Sequence, residues 1–251
     1  MQHSKEQIYW DEFTRNNEAY IFYDLMEYQH ILNLMGNEIL CEKKVLEIGC
    51  GKGIWTANLA RIGAKVFHFD LTRFIVATAK EAATPFTTYA FVADMHFLPI
   101  ANNSVDFVFG SMVLHHASNH DFFGHEVARV LKSGGRAIFH ENSDRNPILR
   151  FARNSLVGRL GIPKYSSSDE HPLRLEEIQS FGSSFTSYRS DYLRMVVFQL
   201  AVKYLLRRED GLIYQFARNL DRFIYKNFPR WRYLSYYQVV HFDKESVTVN
   251  D

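Results

Sequence analysis

The sequence predicts an α/β fold with a seven-stranded, mostly parallel sheet and helices on both faces. Three observations carry this. Five short apolar runs alternate with helix-period segments between residues 44 and 141, the pattern of strand–crossover–strand units. Those runs, such as Val105-Asp106-Phe107-Val108-Phe109, are nearly continuous in apolar residues, as befits strands covered on both faces. Two more strand-like runs, Phe185 to Val197 and Tyr233 to Phe242, complete seven.

Residues 4–40 read as helical, because Ile8, Tyr9, Phe13, Tyr20, Ile21, Leu25 and Tyr28 recur at near-helical spacing, with Gly36 as an interruption. Lys44 to Ile48 is the first strand and runs into Gly49-Cys50-Gly51-Lys52-Gly53. A helix from Ile54 to Ile62 ends at Gly63. Lys65 to Asp70 is the second strand, and Thr72 caps the helix that follows, through Ala83. Thr88 to Ala93 and Val105 to Gly110 are the third and fourth strands. A helix from Asn119 to Leu131 ends in Lys132-Ser133-Gly134-Gly135, ahead of a fifth strand, Arg136 to Glu141. Beyond Asn142 the rhythm breaks: a helix over 147–160, a loop at Ser166–Asp169, a short helix beginning near Pro172, and two helices around Gly211 within 198–227.

The 251 residues are 47% apolar and 23% charged, enough to bury a core and too long for a minimal domain. Aromatic residues reach 15%, an excess that calls for a cavity, an interface or a membrane-facing surface. The formal charge is only +1, so nucleic acid is not an expected partner, but the halves differ. Residues 1–141 hold 12 Lys/Arg against 16 Asp/Glu, a net of −4, and residues 142–251 hold 17 against 12, a net of +5. Cys41 and Cys50 support neither a disulfide framework nor a zinc pattern, which points to a reducing compartment. No signal-peptide pattern opens the sequence and no apolar run reaches ~18 residues, so a cytoplasmic location without a membrane span is expected.

The polar residues of interest sit at the carboxyl ends of the strands, where ligands bind in such sheets. Gly49-Cys50-Gly51-Lys52-Gly53 joins the first strand to its helix, letting the backbone turn sharply and a ligand approach peptide groups. Asp70 ends the second strand, where a carboxylate can accept two hydrogen bonds from a ribose diol. A dinucleotide fingerprint would place its last glycine at position 54, which is Ile54; here it falls at Gly53. The spacing therefore disfavours a dehydrogenase.

Together, Val45-Leu46-Glu47-Ile48-Gly49-Cys50-Gly51-Lys52-Gly53, Phe69-Asp70-Leu71-Thr72, Ala93-Asp94-Met95 with Leu98-Pro99-Ile100, Val105 to Phe109 and Ala128 to Gly135 resemble the ordered motifs of class I S-adenosylmethionine-dependent methyltransferases. The resemblance covers about residues 40–141. It implies that fold, S-adenosylmethionine as cofactor and S-adenosylhomocysteine as product. It also implies roles: the Gly49–Gly51 backbone, with Cys50, holding the methionine part, Asp70 the ribose hydroxyls, Leu71 the adenine face, Asp94 the adenine amino group and Met95 the ring. The Gly110–Ser111 backbone would face the methionine carboxylate, and Glu47 would order the loop. The division implied is a helical lid at 1–40 (through Tyr9, Trp10 or Tyr20), a cofactor-binding Rossmann-like core at 41–141, and an acceptor-binding part with the final antiparallel strands at 142–251.

For the acceptor, His115 and His116 follow the fourth strand, and one of the two should face the cavity, since neighbours on a helix point about 100° apart. His115 is the candidate base or acceptor anchor, and Glu141 at the end of the fifth strand a candidate acceptor contact. No ligand spacing supports a metal. Residues 145–164 interleave Arg145, Arg150, Arg153, Arg159 and Lys164 with apolar residues, suiting a lid helix or peripheral contact with a membrane. The expected reaction is methyl transfer to a small or amphiphilic metabolite, at oxygen. Carbon or nitrogen methylation, a lipid-linked or glycan precursor, or a catalytically silent cofactor-binding regulator stand as alternatives. Neither acceptor identity nor oligomeric state is legible.

Overall fold

The computed structural model describes residues 2–16, 25–159 and 171–246. Helices α1 (Gln2–Asn16), α2 (Leu25–Met35) and α3 (Asn37–Leu40) lead into β1 (Lys44–Ile48), α4 (Ile54–Arg61), β2 (Lys65–Asp70), α5 (Arg73–Ala82) and β3 (Tyr89–Val92). Then come β4 (Val105–Ser111), α6 (His120–Val130), β5 (Leu131–Asn142), α7 (Pro147–Ser155) and α8 (Leu175–Gly182). The chain closes with β6 (Ser187–Tyr192), α9 (Val197–Leu205), α10 (Gly211–Asn227) and β7 (Tyr237–Asp243).

The strands form a seven-stranded sheet in the order β3-β2-β1-β4-β5-β7-β6. The first five are parallel to their neighbours, and β7 runs antiparallel to both β5 and β6. Alternation along each strand divides the core into two layers. Leu46, Val108, Phe139 and Val240 pack with Phe123, Val127, Ile178 and Phe181 of α6 and α8. Their strand neighbours Val45, Phe109, Ile138 and Val239 pack on the other face with Ile31, Leu32, Trp55 and Leu59 of α2 and α4. Helices therefore cover both faces. Side-chain caps fix several helix starts: Thr72 accepts from the Ile75 N–H, Asn119 from that of Phe122, and Asn146 from those of Ile148 and Leu149.

Several boundaries differ from expectation. The glycine pair Gly134-Gly135 does not separate α6 from β5; the chain passes from Val130 straight into the strand, and the pairing with β4 shifts register between Val105 and Phe107. The sixth strand stops at Tyr192, opposite the start of its antiparallel partner β7 at Tyr237–Gln238. Residues 229–234 form a 3-10 turn rather than the start of β7, with Pro229 opening it. The helix expected over 147–160 is α7, which ends at Ser155. Tyr20, Lys164 and the loop at 166–169 lie outside the described residues.

Candidate functional site

After β1 the chain moves outward through β2 and β3; with β4 it crosses to the other side of β1 and moves away through β5. Adjacent strands whose continuations diverge leave a crevice at their carboxyl ends. A cavity of about 290 Å3 lies there, lined by Glu47, Gly49, Cys50, Gly51, Asp70, Leu71, Met95 and Ser111 among others. Its size sits near the lower end of small-molecule pockets, roughly 300–1,000 Å3.

The glycine loop is built to approach a ligand. Gly51 has φ +47°, and a Cβ added to it would meet nothing within 4 Å, so the loop presents bare backbone to open space. Gly53, at φ +77°, has another reason to be glycine: a Cβ would stand 2.5 Å from the Ala79 Cα, where α4 and α5 cross. Asp70 braces the loop. Its Oδ2 accepts from the Gly51 N–H at 3.0 Å and its Oδ1 from the Leu71 N–H at 2.8 Å. Each oxygen keeps a further acceptor direction. Burial raises the Asp70 pKa, while those two backbone bonds oppose the rise.

Glu47 closes the floor. It is buried, and its Oε2 accepts from the Thr56 hydroxyl at 2.6 Å. Burial pushes its pKa up to about 8; the Thr56 bond works against this and the nearby Asp70 charge adds to it. The Cys50 thiol is raised by burial and by the carboxylates of Asp70 and Glu47, which keeps it protonated.

Helix α1 roofs the cavity. Trp10, Phe13 and Thr14, at i, i+3 and i+4, line it. The same helix is tied down by Gln7, whose side-chain amide donates to the Leu71 carbonyl at 3.1 Å, and by Asp11, which accepts from the Thr72 hydroxyl. Arg15 lies over the Phe74 ring, 3.8 Å from its centroid. Tyr9 does not line the cavity; it packs against Trp10 and Phe13.

The histidine pair divides its roles differently from the sequence expectation. Past β4, Met112 takes φ +57°, its N–H donating to the His140 carbonyl at 2.8 Å. This turn delivers the N–H groups of Val113 and Leu114 to Glu141 Oε1, at 2.9 and 2.6 Å. His115 Nδ1 stands 2.6 Å from Glu141 Oε2. Glu141 is 0% exposed, and neither it nor His115 lines the cavity. The two anchor the loop beneath the site, and the expectation of His115 as base or acceptor anchor and Glu141 as acceptor contact draws no support from this lining. His116 lines the cavity instead, its ring 5.3 Å from that of Trp10. Burial, with His115 and His171 nearby, pushes its pKa down to about 3, so the ring is neutral.

Asp94 pairs with His96. Its Oδ1 accepts from the His96 N–H at 2.9 Å and lies 3.0 Å from His96 Nδ1, and the cavity is lined by its neighbours Ala93 and Met95 instead. Sequence reasoning missed Phe13, Thr14 and Met112 as lining residues and favoured His115 over His116. The helical spacing from Trp10 was a usable signal for the first two. Among the described residues, no group of three or more His, Cys, Asp and Glu is arranged to hold a metal ion, and no helix is long and apolar enough to cross a membrane.

Residues 46–139 match the family model described as a methyltransferase domain. The chain is 37% identical over 94 residues to the biotin biosynthesis bifunctional protein of Cellvibrio japonicus, covering 38% of this chain and 18% of that one. It is 32% identical over 100 residues to the malonyl-[acyl-carrier protein] O-methyltransferase of Hahella chejuensis, covering 39% and 36%. These matches span less than half the length of either relative. In fold, the chain is similar to a putative sarcosine dimethylglycine methyltransferase from Galdieria sulphuraria, with a TM-score of 0.55, 13% identity, and coverage of 88% of this chain and 85% of that one.

Proposed function

We propose that the chain, through its methyltransferase domain at residues 46–139, is a class I S-adenosylmethionine-dependent methyltransferase that transfers a methyl group to an oxygen of a small or amphiphilic metabolite. One observation carries the reading: the glycine loop, Asp70, Met95 and Ser111 come from four strand ends and line one cavity. The residues present fit the cofactor. Open space in front of the Gly51 backbone leaves room for its methionine part, and Asp70 keeps acceptor directions for two ribose hydroxyls. When bound, the cofactor supplies an electrophilic methyl group on a sulfonium.

In this proposal the Gly49–Gly51 backbone holds the methionine part, Leu71 packs on the adenine, and the Ser111 backbone faces the carboxylate. Glu47 holds the loop from below and meets the cofactor's positive charge. The α1 roof excludes water through Trp10 and Phe13. His116, neutral and facing the cavity, accepts a hydrogen bond from the acceptor hydroxyl, aligns it, and takes up the proton that the oxygen gives up on methylation, for release to solvent. Alignment of that kind is worth several kcal/mol of barrier in general, on the order of 7–11 at best. Oxygen as the methylated atom draws support from the Hahella relative, an O-methyltransferase.

Calorimetry tests the cofactor: S-adenosylmethionine and S-adenosylhomocysteine should bind, and nicotinamide dinucleotides should not. Methyl-labelled cofactor offered with hydroxylated and carboxylated amphiphiles should then yield labelled ether or ester. Binding without transfer to any oxygen, nitrogen or carbon acceptor would instead identify a silent cofactor-binding protein.

A further inference from the structure

Helices α9 and α10 form a hairpin inserted between β6 and β7. It is rooted by the buried Asp221, whose carboxylate accepts from the Phe198 and Gln199 N–H groups at 3.2 and 2.9 Å, capping α9. The Tyr225 hydroxyl donates to the Tyr192 carbonyl and fastens α10 to the end of β6.

The outward face of this hairpin is apolar. Leu212, Phe216 and Phe223 of α10 are 85%, 70% and 57% exposed. At about 100° per residue they fall within roughly 40° of one another, on the side of the helix opposite the buried Ala217 and Asp221. An ordinary surface helix carries its apolar stripe inward; here the outermost stripe is apolar too, with Asn219 the polar residue beside it. Exposed Leu205 and Leu206 extend it at the hairpin tip. Phe223 meets Phe228 at 6.3 Å, and Phe228 stacks on Trp231 at 5.1 Å, carrying the surface beyond the helix end.

Cations surround these residues. Residues 197–234 contain eight Lys/Arg and three Asp/Glu, one of the three being the buried Asp221. Arg207 and Arg208 are exposed at the tip beside Glu209 and Asp210, and Arg222 and Lys226 lie along one edge of the α10 stripe. Apolar side chains at the centre with Lys and Arg at the margin are the signature of a helix lying in a lipid interface, where aromatic rings sit at headgroup level and long cations reach anionic phosphates. We infer that the outer face of the α9–α10 hairpin docks the protein on an anionic phospholipid bilayer. A second copy of this chain is the poorer occupant, since a two-fold interface would set the same cations against each other.

Helix α7 adjoins this surface. The Asn146 side-chain amide donates to the Leu234 carbonyl at 2.7 Å, joining the start of α7 to the segment that leaves the hairpin, and α7 exposes Ile148 and Phe151. The inference stands on the hairpin and does not depend on the methyl-transfer reading.

Flotation with vesicles decides it. The full chain should float with vesicles of phosphatidylglycerol and phosphatidylcholine in equal parts, should not float with phosphatidylcholine alone, and should be released by high salt. A triple variant, Leu212→Ser with Phe216→Ser and Phe223→Ser, should bind the anionic vesicles at least about tenfold more weakly while keeping its melting temperature, because these side chains are exposed. Arg222→Glu with Lys226→Glu should weaken binding comparably and provides an independent variant should the first fail to fold. Equal flotation of wild type and both variants, or no flotation of the wild type, would overturn the inference. So would a dimer in sedimentation that the triple variant abolishes, which would make this face a contact between copies.

Discussion

Nδ1 of His115 lies 2.6 Å from Oε2 of Glu141, and that pairing turns one histidine of an adjacent pair away from the cavity. The other Glu141 oxygen takes the Val113 and Leu114 N–H groups, so one buried carboxylate holds three consecutive residues of the loop after β4. His116 faces the cavity as a consequence of what its neighbour is bound to.

Removing that carboxylate should therefore be a stability mutation first. Glu141→Ala leaves two backbone N–H groups and an imidazole without their acceptor, and should lower unfolding free energy by about 3–5 kcal/mol. Urea unfolding measures it. A well-folded Glu141→Ala protein with unchanged stability but no turnover would restore Glu141 to direct acceptor contact.

The two histidines should separate kinetically. His116→Ala should lower kcat by about ten- to a hundredfold with little change in cofactor affinity, the scale of a lost aligning hydrogen bond. His115→Ala should act through loop position, lowering the melting temperature, with partial rescue by His115→Asn. Turnover and calorimetry on each variant distinguish these outcomes, and greater kcat loss at His115 in a stably folded protein contradicts the assignment.

Asp70 is expected to carry cofactor affinity. Asp70→Ala should weaken S-adenosylmethionine by about 1.5–3 kcal/mol, roughly ten- to a hundredfold. Since the carboxylate also braces the Gly51 and Leu71 N–H groups, some of that loss comes from the loop itself. Asp70→Asn, which keeps an acceptor oxygen for the backbone, should bind more tightly than Asp70→Ala. Equal affinities in wild type and Asp70→Ala would reduce Asp70 to a structural brace.

Glu47 should impose a pH dependence on the cofactor-free protein. Its folded pKa of about 8 stands above the ordinary 4.5, so the fold binds a proton that the unfolded chain releases. The associated stability is full below about pH 4.5, declines as pH rises, and is lost once pH passes about 8. Glu47→Gln retains an acceptor for Thr56 without the ionisation. It should flatten that decline and leave the protein more stable than wild type at about pH 9, by on the order of a few kcal/mol. Unfolding curves at about pH 5 and pH 9 check the sign; parallel profiles for the two proteins would mean that Glu47 is ionised in the fold.

The sequence alone determined the architecture and the glycine loop. Short, nearly continuous apolar runs separated by helix-period runs leave few topologies, because crossovers are right-handed and strands buried on both faces must be apolar. Gly49, Gly51 and Asp70 were legible because they sit at strand ends, where chain direction already fixes their place relative to the crevice. What the tertiary structure decided were choices between neighbours. His115 against His116 depends on which side chain finds a partner across the fold: Glu141, 26 residues from His115, takes the first histidine. The outward apolar stripe of α10 belongs to the same class. Leu212, Phe216 and Phe223 reach the surface because Ala217 and Asp221 on the opposite side of the helix are buried against the rest of the protein. Local sequence sets the period of a helix, but its rotation about its own axis is set by the contacts that bury one face.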